Sequence, residues 1–293
     1  MGNPTIQILL SSYNGEQYIR EQIDSILRQE SVDIRLKIRD DGSTDGTRII
    51  LSEYENLPNC VVEYGNNIGA KNSFLWLIEN SDEYEYYAFS DQDDVWEPDK
   101  LISAYNLLIK ENATLYHGLA GKVDKYLNPL PNHDFVPRDS FGASLLSSAT
   151  GCTMLFTHQL MSALKQYSPQ NISMHDAWVY RVSYALGYKV YYDRNSHMKY
   201  RQHERNVSGG QMSFFQKYKK IKKNKGLRYN VAEDLCKGYY NNMPDENKKI
   251  LRAFLSYRKS LLGKIKVLFS RDYNQYKWQT NLQNKILFLL NLV

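Results

Sequence analysis

The sequence predicts an α/β fold with a mostly parallel sheet flanked by helices, on three observations. Short apolar, β-branched runs alternate with stretches of helical spacing through the first third of the chain. Each early run ends in polar, turn-forming residues: Ser12-Tyr13-Asn14, Asp40-Asp41-Gly42-Ser43 and Asp91-Gln92-Asp93-Asp94. In such sheets ligands bind beyond the carboxyl ends of the strands, so the topology gathers these three clusters along one edge.

The elements follow in order. Thr5 to Ser11 reads as a buried first strand, and Tyr13-Asn14-Gly15 turns the chain. Between Glu16 and Gln29, Tyr18, Ile19, Ile23, Ile26 and Leu27 recur at helical spacing. A second strand, Ile34 to Ile38, precedes a helix from Thr44 to Tyr54 with Thr44 or Asp45 as its cap. Val61 to Tyr64 is a third strand, Lys71 to Glu79 a third helix, and Tyr86 to Phe89 a fourth strand. Gly118 to Ser144, with Pro129, Pro131 and Pro137, reads as loop-rich. Ser147 to Phe156 is expected as a strand with its preceding turn, Asp176 to Leu186 as a helix, and Lys189 to Tyr192 as the last strand.

Composition narrows the class. With 293 residues, 42% hydrophobic and 24% charged, the chain holds one large domain or a domain with an appendage. Cys60, Cys152 and Cys236 are too scattered for a disulfide framework or a zinc site, which favours a reducing compartment. There is no basic n-region with an apolar core, and no run of about 18 apolar residues. The expectation is a cytoplasmic protein, at most peripheral on the inner face of the cell membrane. From Gln211 to Val293 there are 18 Lys/Arg against 5 Asp/Glu, while residues 1–210 carry 19 against 27. That asymmetry sets the expected boundary: a catalytic domain over 1–210 and a basic helical region over 211–293.

The cluster Asp91 to Asp94 carries the chemistry. Carboxylates at alternate positions after a buried strand offer oxygen ligands to a hard cation, Mg²⁺ or Mn²⁺. Such an ion neutralises charge on a diphosphate leaving group. A solvated acidic turn before a helix starting near Pro98 and Asp99 is the alternative. No P-loop, dinucleotide fingerprint, H-E-x-x-H or G-x-S-x-G occurs, which sets aside those enzyme classes.

The runs Ser11-Ser12-Tyr13-Asn14-Gly15, Arg39-Asp40-Asp41-Gly42-Ser43-Thr44-Asp45-Gly46-Thr47, Asn67-Ile68-Gly69 and Asp91-Gln92-Asp93-Asp94-Val95-Trp96, with Pro98-Asp99-Lys100, together resemble the family 2 glycosyltransferases of GT-A fold. Ser90-Asp91-Gln92-Asp93-Asp94-Val95-Trp96 is similar to the branch of bacterial rhamnosyltransferases that build cell-wall and capsular polysaccharide. The resemblance covers roughly residues 4–210, with donor binding in about 1–100 and the acceptor side in about 101–210. It implies Tyr13 against the nucleobase and Asp41 accepting from the pyrimidine ring N–H. It further implies Asp91 near the ribose or the metal, and Asp93 as principal metal ligand. His203 would complete the metal shell, as a histidine does in several relatives.

An inverting transfer needs a general base for the acceptor hydroxyl. Asp176, in Met174-His175-Asp176-Ala177-Trp178 where a turn enters a helix, is the candidate, unless it serves only as the helix cap. His175 is a candidate to orient it, and Trp178 to shape an acceptor surface. Arg201 and Arg205 are candidates to pair with the diphosphate, guanidinium being matched to phosphate oxygens. The expected activity is metal-dependent transfer of rhamnose from dTDP-rhamnose, or of galactose or glucose from a UDP donor, to a hydroxyl of a lipid-linked bacterial glycan. A binding-only protein that kept the fold is the rival reading. The basic tail, with Leu261, Leu262, Ile265, Leu268 and Phe269 interleaved with Lys264, Lys266 and Arg271, suits a membrane surface or a subdomain packed on the catalytic domain or a second subunit. No nucleic-acid-binding module accompanies it, so nucleic acid is not an expected partner.

Overall fold

The structure, a computed structural model, describes residues 2–132, 136, 138–203 and 224–293. The chain divides into two compact units: Met1–Asp134, Thr150–Lys165 and Val190–Asn206 form the first, and Phe135–Ala149, Gln166–Lys189 and Val207–Val293 the second. The second unit thus includes segments that the sequence reading grouped with the acceptor side of a single catalytic domain.

In the first unit, strands β1 (Thr5–Ser12), β2 (Asp33–Asp40), β3 (Cys60–Tyr64) and β4 (Tyr86–Ser90) alternate with helices α1 (Ile19–Leu27), α2 (Thr47–Ser52) and α3 (Ala70–Glu79). After β5 (Val95–Trp96) and α4 (Lys100–Lys110) come β6 (Leu115–Gly118) and β7 (Gly121–Val123), then β8 (Leu155–Thr157), α6 (His158–Lys165), β9 (Val190–Asp193) and β10 (Met198–Arg201). The main sheet runs β3-β2-β1-β4-β8-β6-β9. Strands β1 to β4 pair in parallel, and only β8 runs against its neighbours. This is the α/β, mostly parallel, GT-A architecture expected.

The physical cause is visible in β1, where Ile6, Ile8, Leu9 and Leu10 are all fully buried, as a strand covered on both faces must be. Register places Ser12 beside Asp40 and Leu10 beside Ser90, so the three polar clusters do emerge at one sheet edge. A second, three-stranded sheet, β5-β10-β7, lies beyond it. Its antiparallel pairing of Lys199 with Val95 and Met198 with Trp96 returns the chain to the Asp91–Asp94 loop.

One expectation is met in shortened form and two are corrected. Ser147 to Phe156 does hold a strand with its preceding turn, but the strand is short: a 3-10 turn, Gly151–Thr153, precedes the three-residue β8. Ser147 and Thr153 bond back to the Ala143 and Thr150 carbonyls, the local side-chain bonding that competes with a ladder. The strand near Tyr192 is not the last, since β10 follows it. The stretch from Gly118 is not wholly irregular, because β7 lies inside it.

The second unit is helical: α5 (Phe141–Ser144), α7 (His175–Ala185), α8 (Leu227–Tyr239), α9 (Asp245–Ser256), α10 (Leu261–Phe269) and α11 (Trp278–Leu289). Its core is aromatic, with Phe254, Tyr257, Tyr273 and Phe288 in mutual ring contact. Buried Asp234 accepts from Tyr167 Oη and from the Gln170 and Asn171 backbone N–H groups, which fixes the loop before α7 on α8. Among the described residues no helix is long and apolar enough to cross a membrane.

Candidate active site

The site begins where β1 ends. Tyr13 leaves the sheet with its ring 46% exposed. Its backbone is clamped by Gln92: Tyr13 N–H donates to Gln92 Oε1 at 2.8 Å, and Gln92 Nε2 returns a bond to the Tyr13 carbonyl at 3.0 Å. Ser12 Oγ donates to the same Oε1 at 2.9 Å. Asn14 takes the left-handed conformation that asparagine tolerates, φ 48°, and its Oδ1 accepts from Thr44 N–H.

At the end of β2, Asp40 and Asp41 are both buried. Asp40 Oδ2 accepts from Ser43 N–H at 3.1 Å and Arg48 Nε at 2.7 Å, so it closes the turn. Asp41 Oδ1 accepts from Arg39 NH1 at 2.5 Å and Ile68 N–H at 2.9 Å, and Oδ2 from Gly69 N–H at 2.8 Å. Gly42 between this turn and Asn67 has φ 81°, and a Cβ there would meet Asn67 N at 2.7 Å. Only glycine fits both conditions.

At the end of β4 the balance is reversed. Asp93 Oδ2 lies 2.7 Å from His203 Nε2, both side chains being largely buried. The His203 ring stacks on Tyr18 with centroids 5.1 Å apart. Ligand atoms of Asp91, Asp94 and Cys152 lie within 4.8 Å of one another. Asp94 is fully buried, and burial first, then the Asp91 and Asp93 charges, hold its carboxyl well above the usual range. Burial likewise raises the Cys152 thiol and pushes Lys100 down to about 8, its Nζ 3.6 Å over the Trp96 ring.

Arg201 does not face outward. Its Nε donates to the Asp93 carbonyl at 2.8 Å, NH1 to the Lys125 carbonyl at 2.8 Å, and NH2 to Glu21 at 2.5 Å, with its guanidinium over Tyr18. Arg205 lies outside the described residues. Asp176 sits in the first turn of α7, in the second unit, where its Oδ1 accepts Ala177 N–H at 2.6 Å; the cap position itself is Met174. His175 and Trp178 are buried, so neither offers a surface to an acceptor. Burial pushes the His175 imidazole down to about 3, which keeps it neutral.

Sequence reasoning missed what braces the loop. Gln22, Ser25 and Gln29 form a buried polar stripe on α1 and just beyond it. Gln22 Nε2 donates to Ser90 Oγ, Ser25 Oγ accepts Trp96 N–H, and Gln29 bonds the Glu97 carbonyl and Leu101 N–H. The signal was present as three polar residues at i, i+3 and i+7, one face of the helix.

The family described as Glycosyl transferase family 2 matches residues 7–185. The chain belongs to this family. The family assignment makes it a glycosyltransferase, as the motifs implied. The dTDP-rhamnosyl transferase RfbG of Shigella flexneri is 33% identical over 265 residues, covering 80% of this chain and 90% of RfbG. Residues 1–349 of TarS from S. aureus, solved with UDP-GlcNAc, share the fold with TM-score 0.63 at 16% identity, over 99% of this chain and 82% of that one. The mannosyltransferase PcManGT of Pyrobaculum calidifontis, solved with GDP-Man and Mn²⁺, gives TM-score 0.58 at 15% identity, over 99% and 86%.

Proposed function

We propose that this glycosyltransferase moves rhamnose from a dTDP donor to a hydroxyl of a bacterial polysaccharide precursor, with inversion and with a divalent cation. The observations that carry the metal are the Asp93–His203 pair at 2.7 Å, a carboxylate oxygen and an imidazole nitrogen held against each other, and, on the same loop, Asp91 with its ligand atom within 4.8 Å of those of Asp94 and Cys152. That donor set suits Mn²⁺ or Mg²⁺, and Asp93, His203 and Asp91 are the residues that would hold it. A cation bound there supplies charge neutralisation to the departing diphosphate. The choice of rhamnose rests on the similarity to RfbG; a UDP-linked galactose or glucose is the alternative, since small pocket changes decide between such donors.

The chain's own residues do the rest. Tyr13 presents an exposed ring for the pyrimidine to lie on, its backbone fixed by Gln92. Asp41 has accepted three donors, and a carboxylate has about four lone-pair sites, so one remains for the ring N–H. Arg201 acts as a positioning residue, holding the Asp93 carbonyl on β10 instead of reaching the phosphates. Arg205 is assigned to the diphosphate. Asp176 removes the acceptor's hydroxyl proton as that oxygen attacks the anomeric carbon. The acceptor is a lipid-linked glycan.

The test is transfer and nucleoside diphosphate release over a panel of dTDP- and UDP-sugars, with Mn²⁺ and after chelation. Loss of transfer on chelation with return on Mn²⁺, and a folded Asp176→Asn variant without transfer, are expected. Full transfer after chelation would refute the metal, and near-normal transfer by Asp176→Asn the base. Donor binding without any turnover would favour the binding-only rival.

A further inference from the structure

The second unit carries an outward apolar face that its own packing does not use. On α10, Leu261, Leu262, Ile265 and Phe269 are exposed, Leu261 by 74% and Phe269 by 80%. At about 100° per residue these four fall within an arc of about 100°. Gly263 and Val267 occupy the opposite side and are buried. Lys264 and Lys266 stand on the two borders of the apolar arc. The same division recurs on α11, where Trp278, Leu282, Ile286 and Leu289 share one exposed face while Asn284 and Phe288 are buried. Lys285 borders that face. The two helices pack together, and Lys264 Nζ reaches the Leu289 carbonyl at 3.3 Å. Soluble surfaces scatter large apolar side chains singly; two adjoining helical stripes of them are a docking surface.

We propose that α10 and α11 form a docking surface for an anionic phospholipid bilayer, on which they lie in the plane of the interface. The charge decides the occupant. Residues 261–293 hold Lys264, Lys266, Arg271, Lys277 and Lys285 against a single acidic residue, Asp272. The Asp272 carboxylate is already engaged by Ser270 Oγ at 2.6 Å. A second copy docked by the same face would bring like charges together, because a two-fold interface is self-complementary only where opposite charges meet. A negatively charged lipid surface attracts every one of these cations. Lysines bordering an apolar arc bury their stems beside it and keep their ammonium groups at headgroup level. Trp278 and Tyr276, 68% and 67% exposed, are the side chains that favour that depth. Neither helix is long enough to span, so lying on the surface is the geometry left to them. This inference stands apart from the transfer reaction and does not depend on donor, acceptor or cation.

Vesicle co-sedimentation of the full chain tests it, with phosphatidylcholine vesicles against vesicles that also contain phosphatidylglycerol. Binding is expected only to the anionic vesicles, and to weaken as salt is raised. Paired Leu262→Gln and Phe269→Gln should reduce partitioning about tenfold or more. Paired Lys264→Gln and Lys266→Gln should reduce it about tenfold on anionic vesicles alone. Leu262, Lys266 and Phe269 are exposed and Lys264 loses one bond to the Leu289 carbonyl, about 1 kcal/mol, so melting temperature should fall little; Trp278→Gln is the reserve if one pair fails to fold. Wild-type protein left in the supernatant with both vesicle types overturns the proposal, as does equal binding to neutral vesicles. A dimer in sedimentation equilibrium that the Leu262/Phe269 pair dissociates, without vesicle binding, overturns it in favour of a second copy.

Discussion

Two acidic turns close β2 and β4, the parallel strands on either side of β1 in this glycosyltransferase, and they have been built to opposite ends. At the tip of β2, the Asp41 carboxylate accepts from Arg39 and two backbone N–H groups, and Asp40 from Ser43 and Arg48. At the tip of β4, carboxylates face one another: burial first, then the Asp91 and Asp93 charges, raise the Asp94 carboxyl. In the first turn each carboxylate is matched by an arginine of its own. At the second, His203 stands against the Asp93 carboxylate and the Arg201 guanidinium against its carbonyl, while burial disfavours Lys100 as a cation. Three carboxyls gathered on one loop offer oxygen ligands to an external cation; carboxylates each held by an arginine are part of the scaffold.

The largest effect should separate the two turns by activity. Asp93→Asn removes a charge that the proposed cation needs and that the fold does not, so transfer should drop on the order of 10²–10³-fold. Its melting temperature should stay within a few degrees of wild type, because one like charge beside Asp94 is gone. Mn²⁺ should raise the melting temperature of wild type and leave Asp93→Asn unmoved, since a ligand stabilises only a fold that binds it. An Asp93→Asn protein that unfolds would break the comparison at once.

The β2 turn should fail in the other way. Asp41→Asn leaves the buried Arg39 guanidinium without its partner and turns an amide NH₂ toward Ile68 or Gly69 N–H. The pair is 6% and 2% exposed, so a loss of about 2–4 kcal/mol is expected, read as a lowered denaturation midpoint. A variant as stable as wild type that merely binds donor poorly would mean that the turn is a recognition element first and scaffold second.

Much of this contrast was legible in the sequence, and the limit is instructive. Apolar runs gave β1 to β4 because strands covered on both faces must be continuous and apolar, and Ile6 to Leu10 obey that rule. The pairing of Asp93 with His203 was anticipated from resemblance, although 110 residues separate them. What spacing did not reveal was which acidic turn would be satisfied. Asp41 finds its donors on Ile68 and Gly69, backbone groups that carry no residue-type signature. The brace of the β4 loop was hidden for a related reason: Gln22, Ser25 and Gln29 are polar on a buried helix face, so apolar periodicity passes over them. Arg201 was read as a phosphate ligand from its charge, while three-dimensional closure turned its fork inward to Asp93, Lys125 and Glu21.

The smallest effect concerns Gln92, a side chain that ties the β1 and β4 tips together. Gln92 belongs to the cation loop by sequence and to the Tyr13 turn by hydrogen bonding. Gln92→Ala deletes three bonds around a half-exposed turn, each contributing about 1 kcal/mol at most, so the fold should survive with a small loss. Tyr13 would then hold its ring less firmly for the base, which is ground-state binding. The donor KM should rise about tenfold with kcat little changed, because uniform binding rather than transition-state stabilisation is lost. Gln92→Glu keeps the acceptor for Tyr13 N–H but turns a second oxygen toward the Tyr13 carbonyl, so it should not restore the wild-type KM. If kcat falls instead while KM holds, Gln92 serves the cation loop, and the two acidic turns are coupled through it rather than divided by it.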